Sequence, residues 1–286
     1  MSERSAALVA ARAGLSRGWI EFRQALTTPG DLIAILLPAG GLLAAMIWTR
    51  HTHVPGTRFS LGSAMLAGVL GLNVVASGVV TTGDLLVVER EDGTLLRAKA
   101  IPNGMIGYLL GKVVNISAQV ALAVSITLLA GAFLFTGLAT GRPASWLTLA
   151  WVLALGLLAT LPLGAVLGSL FPSQRSAGPC WLLLLGGLAS ISGIFYPITH
   201  LPVFLQWTGQ VFPLYWLGLG MRSALLPNAM ATVEVGHSWR HLATFGVLSA
   251  WSVAGLLLAP GVLRRTARRQ SGSAVAARRE TVMRRA

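Results

Sequence analysis

The chain has 286 residues, of which 54% are hydrophobic and only 11% charged, with a formal net charge of +13. A water-soluble domain carries about 25% charged residues; so little charge cannot cover a surface facing water, whereas a surface facing lipid needs none. The composition excludes a soluble globular domain, and the single cysteine, Cys180, excludes an internal disulfide and an all-cysteine metal site.

Residues 1–28 have arginines spread through them and no uninterrupted apolar core, so they do not read as a cleaved signal. Leu8, Leu15, Trp19, Phe22 and Leu26 fall on one helical stripe flanked by Arg12 and Arg23, with Arg17, Glu21 and Gln24 facing away. That is the pattern of a helix lying in the membrane interface while its arginines snorkel to headgroups. Thr27-Thr28-Pro29-Gly30 ends it.

Six apolar stretches follow, and the expected fold is an all-α integral membrane protein. The spans are read at Leu32–Trp48, Leu61–Leu86, Met105–Phe135, Trp146–Leu170, Pro179 to about Tyr196-Pro197, and His241–Leu263. The third exceeds what a hydrocarbon core of ~30 Å needs, so it tilts or protrudes. Three parts result: an interfacial helix over 1–28, a six-span domain over 29–263 and a basic tail over 264–286. Cys180 is read as a small buried apolar residue.

Charge orients the spans. With both termini inside, seventeen Lys and Arg residues face the cytoplasm and five (Arg50, Arg58, Arg142, Arg222 and Arg240) face outward. The positive-inside rule favours that arrangement. It also accounts for the net charge, leaving the tail arginines to anionic lipid rather than to nucleic acid.

The segment VVEREDGTLLRAKAIP at 87–102 departs from this apolar background. Between the second and third spans it gathers Glu89, Arg90, Glu91, Asp92, Arg97 and Lys99. Asp92-Gly93 signals a turn. Thr94 is expected to N-cap a short helix, and Pro102 to close it. Leu95 and Leu96 would be wasted in water, which points to a protein partner.

The run E-R-E-x-G-T-L, Glu89 to Leu95, followed by a proline and a long third span, resembles the permease subunit of type-2 ABC exporters of the multidrug and daunorubicin-resistance type. So does SGIFYPITHLPVFLQWTGQVFPLYWLGLGMRSALL, Ser192 to Leu226. The resemblance implies a coupling helix over 89–101 that docks on a separate ATPase subunit through Glu89, Arg90, Glu91, Asp92, Gly93, Thr94, Leu95, Leu96, Arg97 and Pro102. It implies that 1–28 is a connecting helix, and that 196–240 forms re-entrant outer helices with Phe195, Tyr196, Pro197, Pro202, Phe212 and Pro213 at an outer gate. Phe204, Trp207, Phe212 and Trp216 suit a headgroup-level aromatic belt. Two ATPase copies would bind ATP and Mg, a second permease copy or paralogue would complete the path, and membrane lipid would surround it. The implied activity is export of an amphipathic drug- or lipid-like molecule.

No catalytic, cofactor or metal site is expected in this chain. GYLLGKV at 107–113 has its glycines too close for a P-loop and lacks the hydroxyl after the lysine; Gly107 and Gly111, like Gly164 and Gly168, instead make helix-packing faces. Glu234, His237 and His241 would share one face if helical. Thr81–Asp84 lacks the first glycine of an intramembrane protease motif, and no deeply buried acid is expected to pair with a cation. Asn73, Ser77 and Thr81, and Lys112, Asn115 and Gln119, form polar stripes that line a path or bond between helices; Asn73, Ser77, Asn115 and Gln119 are the substrate-path candidates. Lys112 is expected to snorkel inward. The rival readings are a membrane scaffold whose loop recruits a partner, and an ion-coupled secondary transporter, which would need repeats or mid-membrane carboxylates.

Overall fold

The computed structural model describes residues 3–54, 57, 59–101, 104–135 and 138–268. These residues form eleven α-helices and short 3₁₀ turns, and the only extended pairing among them is an isolated bridge between His53 and Ser60. The helices are α1 (Glu3–Ala25), α2 (Pro29–Trp48), α3 (Leu61–Val75), α4 (Thr82–Glu91), α5 (Thr94–Ala100), α6 (Gly104–Leu134), α7 (Pro143–Gly168), α8 (Gln174–Ile191), α9 (Val203–Val211), α10 (Pro213–Leu225) and α11 (His241–Arg268). Local signals explain the starts: Pro29 and Pro143 open α2 and α7, where a missing N–H costs nothing. Ser60 caps α3 by accepting from the Ser63 N–H at 3.1 Å.

Among the described residues, four helical stretches are long and apolar enough to cross a membrane: Leu61–Glu91, Gly104–Leu134, Pro143–Gly168 and His241–Val262. The first joins α3 and α4 through a π-helical turn at Ala76–Thr81. It therefore runs five residues beyond the expected end at Leu86, and Glu89, Arg90 and Glu91 ride on a rigid helix instead of a loop. The helix α11 likewise passes Leu263 to reach Arg268; residues 269–286 of the basic tail lie outside the described residues. Where the first and fifth spans were expected stand α2 and α8. The latter begins at Gln174 and takes Pro179 inside, since only one carbonyl near an exposed end loses its bond. Its polar first turn dilutes its apolar character. Cys180 is exposed on the outer side of α8, while its neighbour Trp181 is buried, so the cysteine is not a core residue.

The core forms around α10, a thirteen-residue helix buried on nearly every side. It packs against α3, α7 and α11. Leu214, Tyr215, Leu217, Leu219 and Met221 have no exposed surface. Small residues set the closest approaches: a β-carbon at Gly164 would strike the backbone of Gly78 and Val79, and one at Gly168 the backbone of Gly83. The sequence-predicted packing role of Gly164 and Gly168 is thus met against the π turn and α4.

Candidate functional site

Two polar clusters stand at opposite ends of the bundle. At one end, α1 lies along α6 by backbone contact: β-carbons at Gly14 and Gly18 would collide with the carbonyls of Gly107 and Gly111. The contact face of α1 is therefore its small-residue side. Leu8, Leu15 and Trp19 point away from α6 and are exposed, and Phe22 alone of the stripe is buried.

Glu21, expected to face away, turns toward α6. Lys112 Nζ lies 2.9 Å from Glu21 Oε2 and 2.6 Å from Glu89 Oε1, and Arg17 Nε donates to Glu21 Oε1 at 2.8 Å. The Tyr108 hydroxyl donates to Glu89 Oε2. Lys112 therefore does not snorkel to the surface; one ammonium joins α1, α6 and α4. Burial alone would raise the Glu21 carboxyl, but the hydrogen bond and charge of Lys112, then those of Arg17, hold it below its ordinary 4.5. Arg90 is buried and donates to the carbonyls of Ser169, at 3.3 Å, and Phe171, closing the C-terminal end of α7.

The turn into α5 is made by Asp92 and by Gly93 at φ +73°, a left-handed conformation that suits glycine. Gly93, not Thr94, is the N-cap; Thr94 is the first helical residue, and its hydroxyl accepts from Arg97 Nη2 at 3.1 Å. The helix stops at Ile101 in extended conformation, as a residue before proline should. Leu95 was expected to project toward a partner. It is 1% exposed and packs with Leu86, Ala98 and Tyr108, because an apolar side chain on a short helix is buried by the helices beside it. Glu91, Asp92, Arg97 and Ile101 form the exposed face. The side chains of Leu96 and Lys99, and Pro102, lie outside the described residues.

At the other end, α9 and α10 are consecutive helices that meet at a tip made by Phe212-Pro213. Two indoles meet the carbonyls left open where α9 stops: Trp216 Nε1 donates to Gln210 O at 2.6 Å, and Trp251 Nε1 to Val211 O at 2.9 Å. Trp216 is 3% exposed, so it braces the tip and does not belong to a surface belt, whereas Phe204 and Trp207 are exposed. Arg222 on α10 is buried; its Nε donates to Glu234 Oε1 at 2.6 Å, its Nη2 to Glu234 Oε2 at 3.3 Å, and its Nη1 to Gly193 O at 3.0 Å. A small cavity beside this pair is lined by Gly193, Phe195, Tyr196, Pro197, Arg222 and Glu234, among others. Three of the outer-gate candidates meet there; Pro202 opens α9 and is exposed, and Phe212 and Pro213 sit at the tip.

Glu234, His237 and His241 do not share a helical face, because Gly236 at φ 74° and His237 at φ 52° break the helix and Glu234 turns inward to Arg222. Nor is buried acid lacking. Glu234 is buried but paired, and Asp84 has a buried Oδ1 with no hydrogen-bond partner. Within the spans, Gln119 Nε2 donates to Asn115 Oδ1 at 3.0 Å, a bond inside α6. Asn73 has a buried Nδ2 without a partner, and Ser77 lies in the π turn, which breaks the straight stripe expected of Asn73, Ser77 and Thr81.

Residues 18–226 match the model of the family described as ABC-2 type transporter. No curated protein matches the chain.

Proposed function

The chain belongs to the ABC-2 type transporter family, the membrane subunits of ABC transporters, and from that premise we propose that it is the permease of an exporter driven by a separate ATPase. In this reading two ATPase copies bind ATP and Mg, and two permeases, identical or paralogous, form the path. The chain crosses a bacterial cell membrane six times, with α2 and α8 as the first and fifth spans and both termini in the cytoplasm. The cargo is an amphipathic drug- or lipid-like molecule, as in the multidrug and daunorubicin-resistance type.

The observation that carries the reading is the seating of α5. A short helix that merely decorated a loop would need no fastening. This one continues from a membrane-length helix through a fixed Gly93 turn, has Leu95 locked beneath it and presents Glu91, Asp92, Arg97 and Ile101 outward. A lever that carries rigid-body motion from a motor to the spans needs such stiffness. Glu89 and Arg90, engaged within the chain, set the lever's base; the exposed four residues meet the ATPase.

Association with a co-expressed ATPase tests this. Glu91→Arg combined with Arg97→Glu reverses exposed charges only and is expected to lower co-purification of the ATPase at least tenfold while the permease still inserts. Unaltered co-purification and ATP hydrolysis would remove α5 as the docking element. Leu95→Asp is the wrong probe, because it would place a charge in the chain's own core.

A further inference from the structure

Arg240 is half-buried, and its contacts differ from those of the cations at the two polar clusters. Lys112 and Arg222 are each paired with carboxylates. Arg240 is held by neutral groups: Nη1 donates to Gln210 Oε1 at 2.6 Å, and the guanidinium carbon stands 4.7 Å from the centroid of the Trp216 ring. Those contacts fix the orientation of the cation without neutralising it. Beyond α8 the sequence has two acids, Glu234 and Glu280; the first is taken by Arg222 and the second lies outside the described residues.

Beside Arg240 runs an apolar surface that none of the described residues covers. Val203, Phe204, Trp207 and Val211 of α9 are 59–69% exposed. At ~100° per residue they span roughly one quarter to one third of the helix circumference. Gln210 comes next to Val203 around the helix, so the fixed guanidinium lies at the rim of that surface. The surface also lies beside a candidate span, His241–Val262. Trp251, which bonds Val211, lies ten residues into α11, about 15 Å along the helix axis from His241.

We propose that this surface holds one membrane phospholipid, in the leaflet opposite α5. Its acyl chains lie along Val203, Phe204, Trp207 and Val211, and its phosphate is the counter-ion of Arg240. A guanidinium presents parallel N–H donors to a phosphate, and Trp216 and Gln210 hold that fork in place before the lipid arrives. An apolar face rimmed by a cation fits a lipid, which brings both parts; free phosphate would leave the α9 face unused.

The experiment is read on the full-length permease alone, so its result does not depend on the ATPase assignment. Phospholipid retained per chain is counted by native mass spectrometry after delipidating detergent washes. The wild-type chain is expected to retain one phospholipid, Arg240→Lys to retain it partly and Arg240→Gln to lose it at least tenfold. Gln210→Glu supplies an internal carboxylate 2.6 Å from the guanidinium in a nearly isosteric change, giving up only the bond from Gln210 Nε2 to the Gln206 carbonyl at 3.0 Å, and is expected to lose the lipid equally while the chain stays folded. Equal retention by wild type, Arg240→Gln and Gln210→Glu would overturn the proposal. So would displacement of the lipid by millimolar soluble glycerophosphate, which would make the site one for free phosphate.

Discussion

The two ends of the molecule use charge in opposite ways. Around Lys112 the groups are half buried and shared: one lysine serves two carboxylates on different helices, and each helix has other holds on the bundle. Around Arg222 a single pair is sealed, with both side chains 5% exposed and every recorded bond internal. A shared, partly hydrated node tolerates small displacements of its members, because water competes for each bond at little cost. A sealed pair does not yield in steps, since separating it leaves two charges without solvent. The Lys112 node can therefore shift in small steps, whereas the Arg222–Glu234 pair holds or breaks as a unit.

The largest effect that would sharpen this contrast is expected from Glu234→Ala. It leaves Arg222 charged and buried, with a cost of about 3–5 kcal/mol, seen as a large fall in thermal midpoint of the purified chain. The double change Arg222→Met, Glu234→Leu should recover most of that loss; if it does not, the pair is holding something besides itself. A middle-sized effect belongs to Gly18→Leu, which puts a side chain where α1 meets the Gly111 carbonyl. Overpacking of about 1–3 kcal/mol is expected, with α1 released to protease while the spans stay protected. The smallest belongs to pH. The Glu21 carboxyl is held below 4.5, so its contribution is complete above that value and is lost as pH falls through its lowered folded-state value. Protection of α1 should weaken below pH 4.5 by less than about 1 kcal/mol, and Glu21→Gln should flatten the profile. A flat profile in the unsubstituted chain would break the link between this node and the seating of α1.

Periodicity and apolar length disclosed the long helices, since both are local properties of the chain. The end of α4 was missed because charged residues read as loop, although Glu89 and Arg90 are held by distant partners, Lys112 and Ser169, that no local window contains. Leu95 was misread for the same reason: an apolar residue in a polar segment reports a need for burial without naming what buries it. Gly107 and Gly111 announced a close contact, and Gly14 and Gly18 repeat the same spacing of four, so that partnership was open to inspection. The π turn and the indole bonds to Gln210 and Val211 have no signature in spacing alone. They arise when helices of different origin are brought to one depth.

The glycine seam between α1 and α6 also bears on how the chain is made. Its two halves lie 93 residues apart in sequence, from Gly14 to Gly107. At a synthesis rate of about 5–20 residues per second, roughly 5–20 seconds separate their emergence from the ribosome. Throughout that interval α1 lacks the Gly107–Gly111 face on which it packs. The last turns of the 61–91 helix are likewise born into a site whose floor, Lys112 on α6, is still being translated.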